Sequence, residues 1–344
     1  MKLVVITQRV DEDDPALGAT VPKLRALAER VDELVVLALA ARPAELPANV
    51  RVETFGAATQ ALRGARLLAR LAPEVRRKPV VVLAHMSPIY AILAASLTRP
   101  RRIPLLLWFT HWRASPTLTL AQRLSTRVLS VNERSFPIAS TKLVATGHGV
   151  EVGPGRVAAR RGDGPLRLLA LGRTSPAKGL DAIVDAIADL EDVPVVAELR
   201  GPSLTEAERR HRAELAARIE AANLGDRVRL AGAVTRREVP ELYARTDVLV
   251  NNMRAGALDK VVFEAAGAGL PVLVASDGFA ALVDGLARPL RFDQDDPAGL
   301  AERIRALHEL GPDGRAELGE ALRERVARDH SLAHWADAVL AAAR

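Results

Sequence analysis

Arg173 and Lys178 stand at the two ends of a short loop in LRLLALGRTSPAKGLDAIVDAI, residues 166–187, between an apolar run and an amphipathic one. A cation at each end of a loop that opens a helix suits a diphosphate. The helix N-terminus adds unpaired N–H groups and a partial positive charge to the two side-chain charges. The same residues also read as surface charge around a Ser-Pro turn, since SPAKG is good helix-starting chemistry in its own right. A second constellation lies in TDVLVNNMRAGALDKVVFEAAGAGLPVLVAS, residues 246–276, a strand, a glycine-containing loop, a helix and another strand. Glu264 sits inside the helix predicted over 258–268, four residues after Lys260, among small and apolar neighbours. It can pair with Lys260. Alternatively it can accept both ribose hydroxyls of a nucleotide while the backbone N–H groups of 254–258 hold phosphate or sugar oxygens. In PLLLWFTHWRASPTLTL, His111 directly follows an apolar strand pattern, where a ligand of a parallel sheet would lie. A lone histidine there also reads as a structural residue. His85 in VVLAHMSP and His148 in GHG are weaker candidates of the same kind.

The elements that must position these groups alternate. Strand patterns are expected at 3–6, 34–39, 50–55, 80–83, 105–109, 128–131 and 143–146, and again at 166–171, 195–199, 228–230, 248–250 and 272–274. Helical patterns fill most gaps, the clearest at 206–222. Continuous apolar strands alternating with helices predict parallel sheets covered on both faces. Residues 150–166 combine Gly, Pro and charge without a sustained period, which is linker chemistry. The expected division is therefore a first domain over 1–150 and a second over 151–330, with a helix over 331–344 able to cross back to the first.

With 344 residues, 49% of them hydrophobic, the chain can build two cores. Cysteine is absent, which excludes disulfides and thiolate chemistry. The opening KLVVITQ is too short for the apolar part of a signal peptide, and no apolar run approaches bilayer length. A cytoplasmic protein is expected. The net charge is +6 and the pI about 10.1, carried by 42 Arg and 6 Lys. Aromatic residues are 3% and do not interleave with basic ones, so nucleic acid is not an expected partner. Residues 62–78 place Arg63, Arg66, Arg70, Arg76, Arg77 and Lys78 around Leu62, Leu67, Leu68 and Leu71. Such a helix either lies on an anionic membrane or packs one face on a sheet.

Together the two constellations resemble the retaining GT-B glycosyltransferases of family 4, which use nucleotide-diphosphate sugars. GRTSPAKGLDAIVDAI is similar to that family's diphosphate-binding segment, and VVFEAAGAGLPVLVAS to its signature helix. RLAGAVTRREVPELYARTDVLV and VATGHGVE also fit the family pattern. The resemblance implies a GT-B fold, two Rossmann-like doubly wound parallel-sheet domains facing a central cleft. It implies that Arg173 and Lys178 grip the leaving diphosphate, that Glu264 binds the ribose, and that Gly256, Ala257, Leu258 and Asp259 complete the donor site. By the same resemblance His111 approaches the donor sugar, with Trp112 and Arg113 shaping the acceptor side.

Two departures stand out. The family's second signature glutamate, eight positions before the ribose ligand, is Gly256 here, with Asp259 nearby. Where the family has a glycine-rich loop after the first strand, this chain has TQRVDEDDPALGATV, with Gly18 its one glycine and placed on the acceptor side; the acidic run at 11–14 reads as a solvated loop in preference to a ligand of acceptor-sugar hydroxyls. No metal-ligand cluster of suitable spacing appears, and neither metal nor cofactor is expected. The expected reaction is transfer of a sugar from a nucleotide-diphosphate donor to an acceptor hydroxyl with retention, in bacterial glycan, glycolipid or polysaccharide synthesis. The acceptor would be a glycan or lipid-linked sugar, with peripheral association at the inner face of the plasma membrane. The alternatives are a non-catalytic scaffold of the same fold, which Gly256 favours, and a nucleotide-sugar 2-epimerase, for which no constellation of acidic and histidine residues is evident.

Overall fold

The structure is a computed structural model that describes residues 1–14, 17–76, 79–111, 113–154 and 164–343. The chain forms two compact units, Met1–Gly149 with Asp329–Arg344, and Val150–Arg328. Residues 155–163 of the expected linker lie outside the described residues. Among the described residues the first unit holds β1 (Lys2–Val10), β2 (Glu33–Ala41), β3 (Val50–Thr54), β4 (Val80–His85), β5 (Leu105–Trp108), β6 (Arg127–Ser130) and β7 (Leu143–Ala145). Its first four helices are α1 (Thr20–Ala28), α2 (Gln60–Glu74), α3 (Pro88–Thr98) and α4 (Pro116–Leu124). The second unit holds β8 (Leu166–Leu171), β9 (Val195–Arg200), β10 (Val228–Ala231), β11 (Val248–Asn251) and β12 (Val272–Val274). Its helices are α5 (Leu180–Ala188), α6 (Glu206–Ala221), α7 (Val239–Ala244), α8 (Lys260–Gly267), α9 (Ala280–Val283), α10 (Pro297–Glu309) and α11 (Gly311–Asp329). The last helix, α12 (Leu332–Ala341), packs on α1 within the first unit.

Every strand pairs in parallel. The first sheet runs β3-β2-β1-β4-β5-β6-β7 and the second β10-β9-β8-β11-β12. β4, β5, β11 and β12 are buried at every position, which favours apolar side chains on both faces, and they read as Val/Leu-rich runs that in β4 and β11 end on a buried polar residue, His85 and Asn251. Each of the twelve expected strands has a counterpart. The chain order reverses direction across the sheet between β1 and β4 in one unit and between β8 and β11 in the other. Ligands of open parallel sheets bind at such points.

Local chemistry sets the helix starts. Thr59 accepts from the Leu62 N–H at 3.2 Å at the start of α2, and Ser115, ahead of Pro116, accepts from Leu118 N–H at 3.1 Å for α4. α2 buries Leu67 and Leu71 against the sheet, leaves Leu62 45% exposed, and closes at Glu74. Arg63 donates to the Ala57 carbonyl at 2.7 Å and Arg70 to Glu53 at 2.6 Å. The helix thus packs its Leu67–Leu71 face on the sheet; Arg77 and Lys78 lie outside the described residues.

The acidic run at 11–14 is a correction to the sequence reading. Asp11 is buried, with Arg9 at 3.7 Å and Arg42 at 3.4 Å. Asp14 faces Arg9 at 3.3 Å and Glu12 faces Arg25 at 2.5 Å. Arginines from β1, α1 and the residue after β2 pair with Asp11, Glu12 and Asp14, while Asp13 is exposed.

At the carboxyl ends of the first sheet lies a buried polar cluster. The His85 ring stacks on Trp108 with centroids 5.0 Å apart, and its Nδ1 is 3.4 Å from Thr7 Oγ1. Lys23 Nζ sits 4.0 Å from the centre of the Trp108 ring and 5.0 Å from that of Trp335, a cation held by two aromatic faces. Burial, reinforced by the Lys23 charge, pushes the His85 imidazole down to about 3. An unfolded histidine titrates near ~6.5, so the unfolded chain binds a proton that the folded chain refuses between these values. This contribution to stability is present above that range and is lost as pH falls toward 3, at up to ~1.4 kcal/mol per pH unit. His85→Gln is expected to flatten the fall in urea midpoint between pH 7 and pH 4.5. An unchanged slope in the variant would place His85 in water.

Candidate functional site

β8 delivers the chain to the loop at 172–179. Gly172 has φ +144°, and a Cβ there would lie 2.8 Å from Lys178 Cε and Nζ, so only glycine lets the lysine fold back across its own loop. Ser175 accepts from the Ala177 N–H at 3.4 Å and starts the one-turn helix Pro176–Lys178, which leads through Gly179 into α5. The Ser-Pro reading of this loop is thus realised as helix-starting chemistry.

Lys178 forms an ion pair with Asp259, the residue before α8, with 18% and 15% of the two side chains exposed. Asp259 also accepts from Asn251 Nδ2 at 3.0 Å, and Asn251 Oδ1 is buried with no hydrogen-bond partner among the described residues. Asn252 Nδ2 donates to the Gly179 carbonyl and to Asp295 Oδ1, both at 2.9 Å, tying the end of β11 to the start of α5. Lys178, Asp259 and Asn251 therefore meet at the carboxyl ends of the adjacent strands β8 and β11. The sequence reading missed Asn251 and Asn252. Their signal was a polar pair ending an otherwise apolar strand.

Arg173 takes another direction. Its guanidinium is 57% exposed and lies 3.2 Å from Glu208 Oε1. Glu208 accepts the N–H groups of Leu204 at 2.7 Å and Thr205 at 3.1 Å, forming a capping box at the start of α6. Burial would raise the Glu208 pKa; the two amides and the Arg173 charge outweigh it and hold the carboxyl below its ordinary value. Glu264 pairs with Lys260 at 3.1 Å and with Arg236 at 3.4 Å, and Arg236 also donates to Glu151 at 2.6 Å. The Lys260 reading of Glu264 is thus realised, and Arg236 is a partner the sequence did not point to. No ion pair or hydrogen bond joins Arg173, Lys178 and Glu264 to one another among the described residues.

The loop at 254–258 is partly engaged with itself. The Gly256 N–H donates to Asp277 Oδ1 at 2.8 Å and the Ala257 N–H to the Arg254 carbonyl at 3.2 Å, so these two amides do not offer themselves to a ligand as expected. The Ala257 carbonyl accepts from Ser276 Oγ at 2.8 Å, and Leu258 is half-buried. Gly256 has φ +76°, a left-handed conformation that a glutamate would adopt only at a cost of roughly 1 kcal/mol or more. The backbone here is built for glycine.

In the first unit, His111 is exposed after β5; its Nδ1 accepts from the Arg113 N–H at 3.0 Å and its ring lies 6.4 Å from Phe109. Arg113 is exposed, and Trp112 lies outside the described residues. The Gly18 N–H closes a turn on the Asp14 carbonyl at 2.9 Å. His85 and His148 are both buried around Trp108, with the His148 ring 6.3 Å from it. Thr20 Oγ1, His85 Nε2 and Trp335 Nε1 are buried without hydrogen-bond partners among the described residues. Among the described residues no group of three or more His, Asp or Glu could hold a metal ion, and no helix is long and apolar enough to cross a membrane.

Residues 165–309 match the family described as Glycosyl transferases group 1. Over 115 residues the chain is 30% identical to mannosylfructose-phosphate synthase of Agrobacterium fabrum, a match spanning 32% of this chain and 25% of that protein. In fold, the chain is similar to HepE of Anabaena solved with UDP and glucose, with TM-score 0.75, 18% identity, and coverage of 99% of this chain and 98% of that one. It is similar also to sucrose-phosphate synthase from Thermosynechococcus elongatus, with TM-score 0.75, 17% identity, and coverage of 99% and 97%. The chain therefore has the GT-B fold, and within it residues 165–309 match the glycosyl transferases group 1.

Proposed function

We propose that this protein transfers a sugar from a nucleoside-diphosphate sugar to an acceptor hydroxyl, with retention of anomeric configuration. The observation that carries the reading is Lys178, set beside an asparagine and an aspartate at the point where the second sheet reverses its strand order. The family match over the same unit and the nucleotide in the HepE structure support it. In the reaction the bond from the anomeric carbon to the diphosphate breaks, and negative charge builds on the departing oxygen. Lys178 and Arg173 stabilise that charge, the kind of electrostatic contribution that usually dominates. Glu264 releases Lys260 or Arg236 to accept the ribose hydroxyls. His111 stands beside the donor sugar, and Trp112 and Arg113 shape the acceptor side. The acceptor is a glycan or lipid-linked sugar in bacterial glycan synthesis, reached at an anionic membrane surface. The chemistry needs neither metal nor cofactor.

Asp259 gives this site a competitor. The donor's diphosphate and the Asp259 carboxylate seek the same ammonium, so binding must open an ion pair before it can gain from Lys178.

Three outcomes follow. In thermal unfolding, one of UDP, GDP or ADP at about 100 times its Kd is expected to stabilise the protein by ~2.7 kcal/mol, and Lys178→Ala to abolish the shift. No response to any of the three would overturn the transferase reading. Asp259→Asn is expected to tighten binding of the bare nucleoside diphosphate by about tenfold, the equivalent of ~1.4 kcal/mol, while turnover of the sugar donor falls. Calorimetric titration checks the first part and product release the second. His111→Ala is expected to lower donor turnover by ~10²-fold or more with nucleotide affinity unchanged. Full turnover in that variant removes His111 from the chemistry.

A further inference from the structure

The net charge of +6 is not spread along the chain. Residues 75–150 carry eleven lysines and arginines against a single acid, Glu133, and the remaining residues carry more acids than bases. The proposed transfer chemistry uses Arg113 alone of these cations. The sheet topology gathers several others at one place. α3 and α4 return against the direction of the strands they connect, so their C-termini lie on the same sheet edge as the starts of β5, β6 and β7. This is the amino edge, opposite the one that carries Thr7, His85 and Trp108.

A cavity of about 320 Å³ opens on this amino edge, and Arg99, Arg102, Arg123 and Lys142 line it together with Ile103 and Leu124. No acidic residue is among its lining residues. Lys142 has a structural role, because its ammonium donates to the carbonyls of Arg123 at 3.0 Å and Ser125 at 2.8 Å and so closes the C-terminus of α4. The three arginine side chains have none. Arg99, Arg102 and Arg123 make no ion pair and donate no side-chain hydrogen bond among the described residues. Elsewhere in the same unit Arg9, Arg25, Arg30, Arg51 and Arg70 all face carboxylates. Arg102 is moreover fixed in a left-handed conformation, φ +53°, its N–H closing on the Arg99 carbonyl at 3.0 Å. A non-glycine residue held there signals a backbone over-determined by its surroundings.

We propose that this cavity binds a phosphate group. Unneutralised cations around a concave, partly apolar surface focus a positive field and repel one another until an anion arrives. The planar fork of a guanidinium matches phosphate oxygens two at a time, and three exposed arginines line this cavity. The volume suits a small phosphorylated molecule. The same chemistry is offered by the phosphate of an anionic lipid headgroup.

The experiment uses the full chain carrying Arg173→Ala and Lys178→Ala, which removes the diphosphate-binding cations of the second unit. Pyrophosphate binding by calorimetry and co-sedimentation with phosphatidylglycerol vesicles are measured in this background at low salt. Both are repeated after adding Arg99→Ser, Arg102→Gly and Arg123→Ser, and after the charge-matched set Arg63→Ser, Arg66→Ser and Arg70→Ser. Arg102→Gly keeps the left-handed backbone, and circular dichroism verifies folding. Each lost arginine contact is expected to weaken binding about tenfold, so the cavity set lowers pyrophosphate affinity by at least ~10²-fold while the α2 set leaves it in place. That result assigns the cavity to a soluble phosphate. Vesicle binding lost only with the cavity set, in the absence of pyrophosphate binding, assigns it to a lipid phosphate. Binding of neither ligand, or equal losses from the two sets, overturns the proposal.

Discussion

Parallel pairing is the constraint on which the rest of this structure depends. A parallel strand must be followed by a crossover, so every connection leaves one edge of the sheet and re-enters at the other. All loops that follow strands then share one edge, and all helix C-termini share the opposite one. Lys178, Asn251 and Asp259, and in the other unit Thr7, His85 and Trp108, meet for this reason alone. The arginines at the ends of α3 and α4 meet on the other edge by the same rule. Two chemically distinct regions follow from one connection type.

The fold was legible because buried parallel strands favour apolar side chains on both faces. β4, β5, β11 and β12 each present a Val/Leu-rich run, and these runs located the strands to within a residue or two at most ends. The position of Lys178 was legible for a related reason, since a loop directly after such a run must lie at the carboxyl edge of the sheet. What the sequence could not disclose were partners. Asp259 reaches Lys178 from 81 positions away, and Arg236 reaches Glu264 from 28. No local pattern encodes those distances. The acidic run at 11–14 was misread for the same cause: its arginines come from β1, α1 and the residue after β2, so a segment that looks solvated by composition has Asp11, Glu12 and Asp14 paired.

Arginine accounts for most of the basic residues and serves two separate purposes. Over much of both units it ties elements together by pairing with carboxylates, as Arg218 of α6 does with Asp185 of α5 at 2.6 Å. Exposed pairs of this kind add little stability each and mainly hold a local geometry. Around the cavity at the starts of β5, β6 and β7 the carboxylates are missing and the guanidiniums remain. The difference between these regions lies in the distribution of acids, and the overall pI is blind to it.

The Lys178–Asp259 pair also bears on what the site ignores. Under the proposed function, the ammonium already neutralised by Asp259, with Asn251 donating to the same carboxylate, offers little net attraction to a simple anion. Free phosphate, abundant in any cell, brings no other contacts with which to break the pair. Only a ligand long enough to be held at a second place can displace the aspartate. Selectivity against small anions is thus written into the pairing of the protein's own residues.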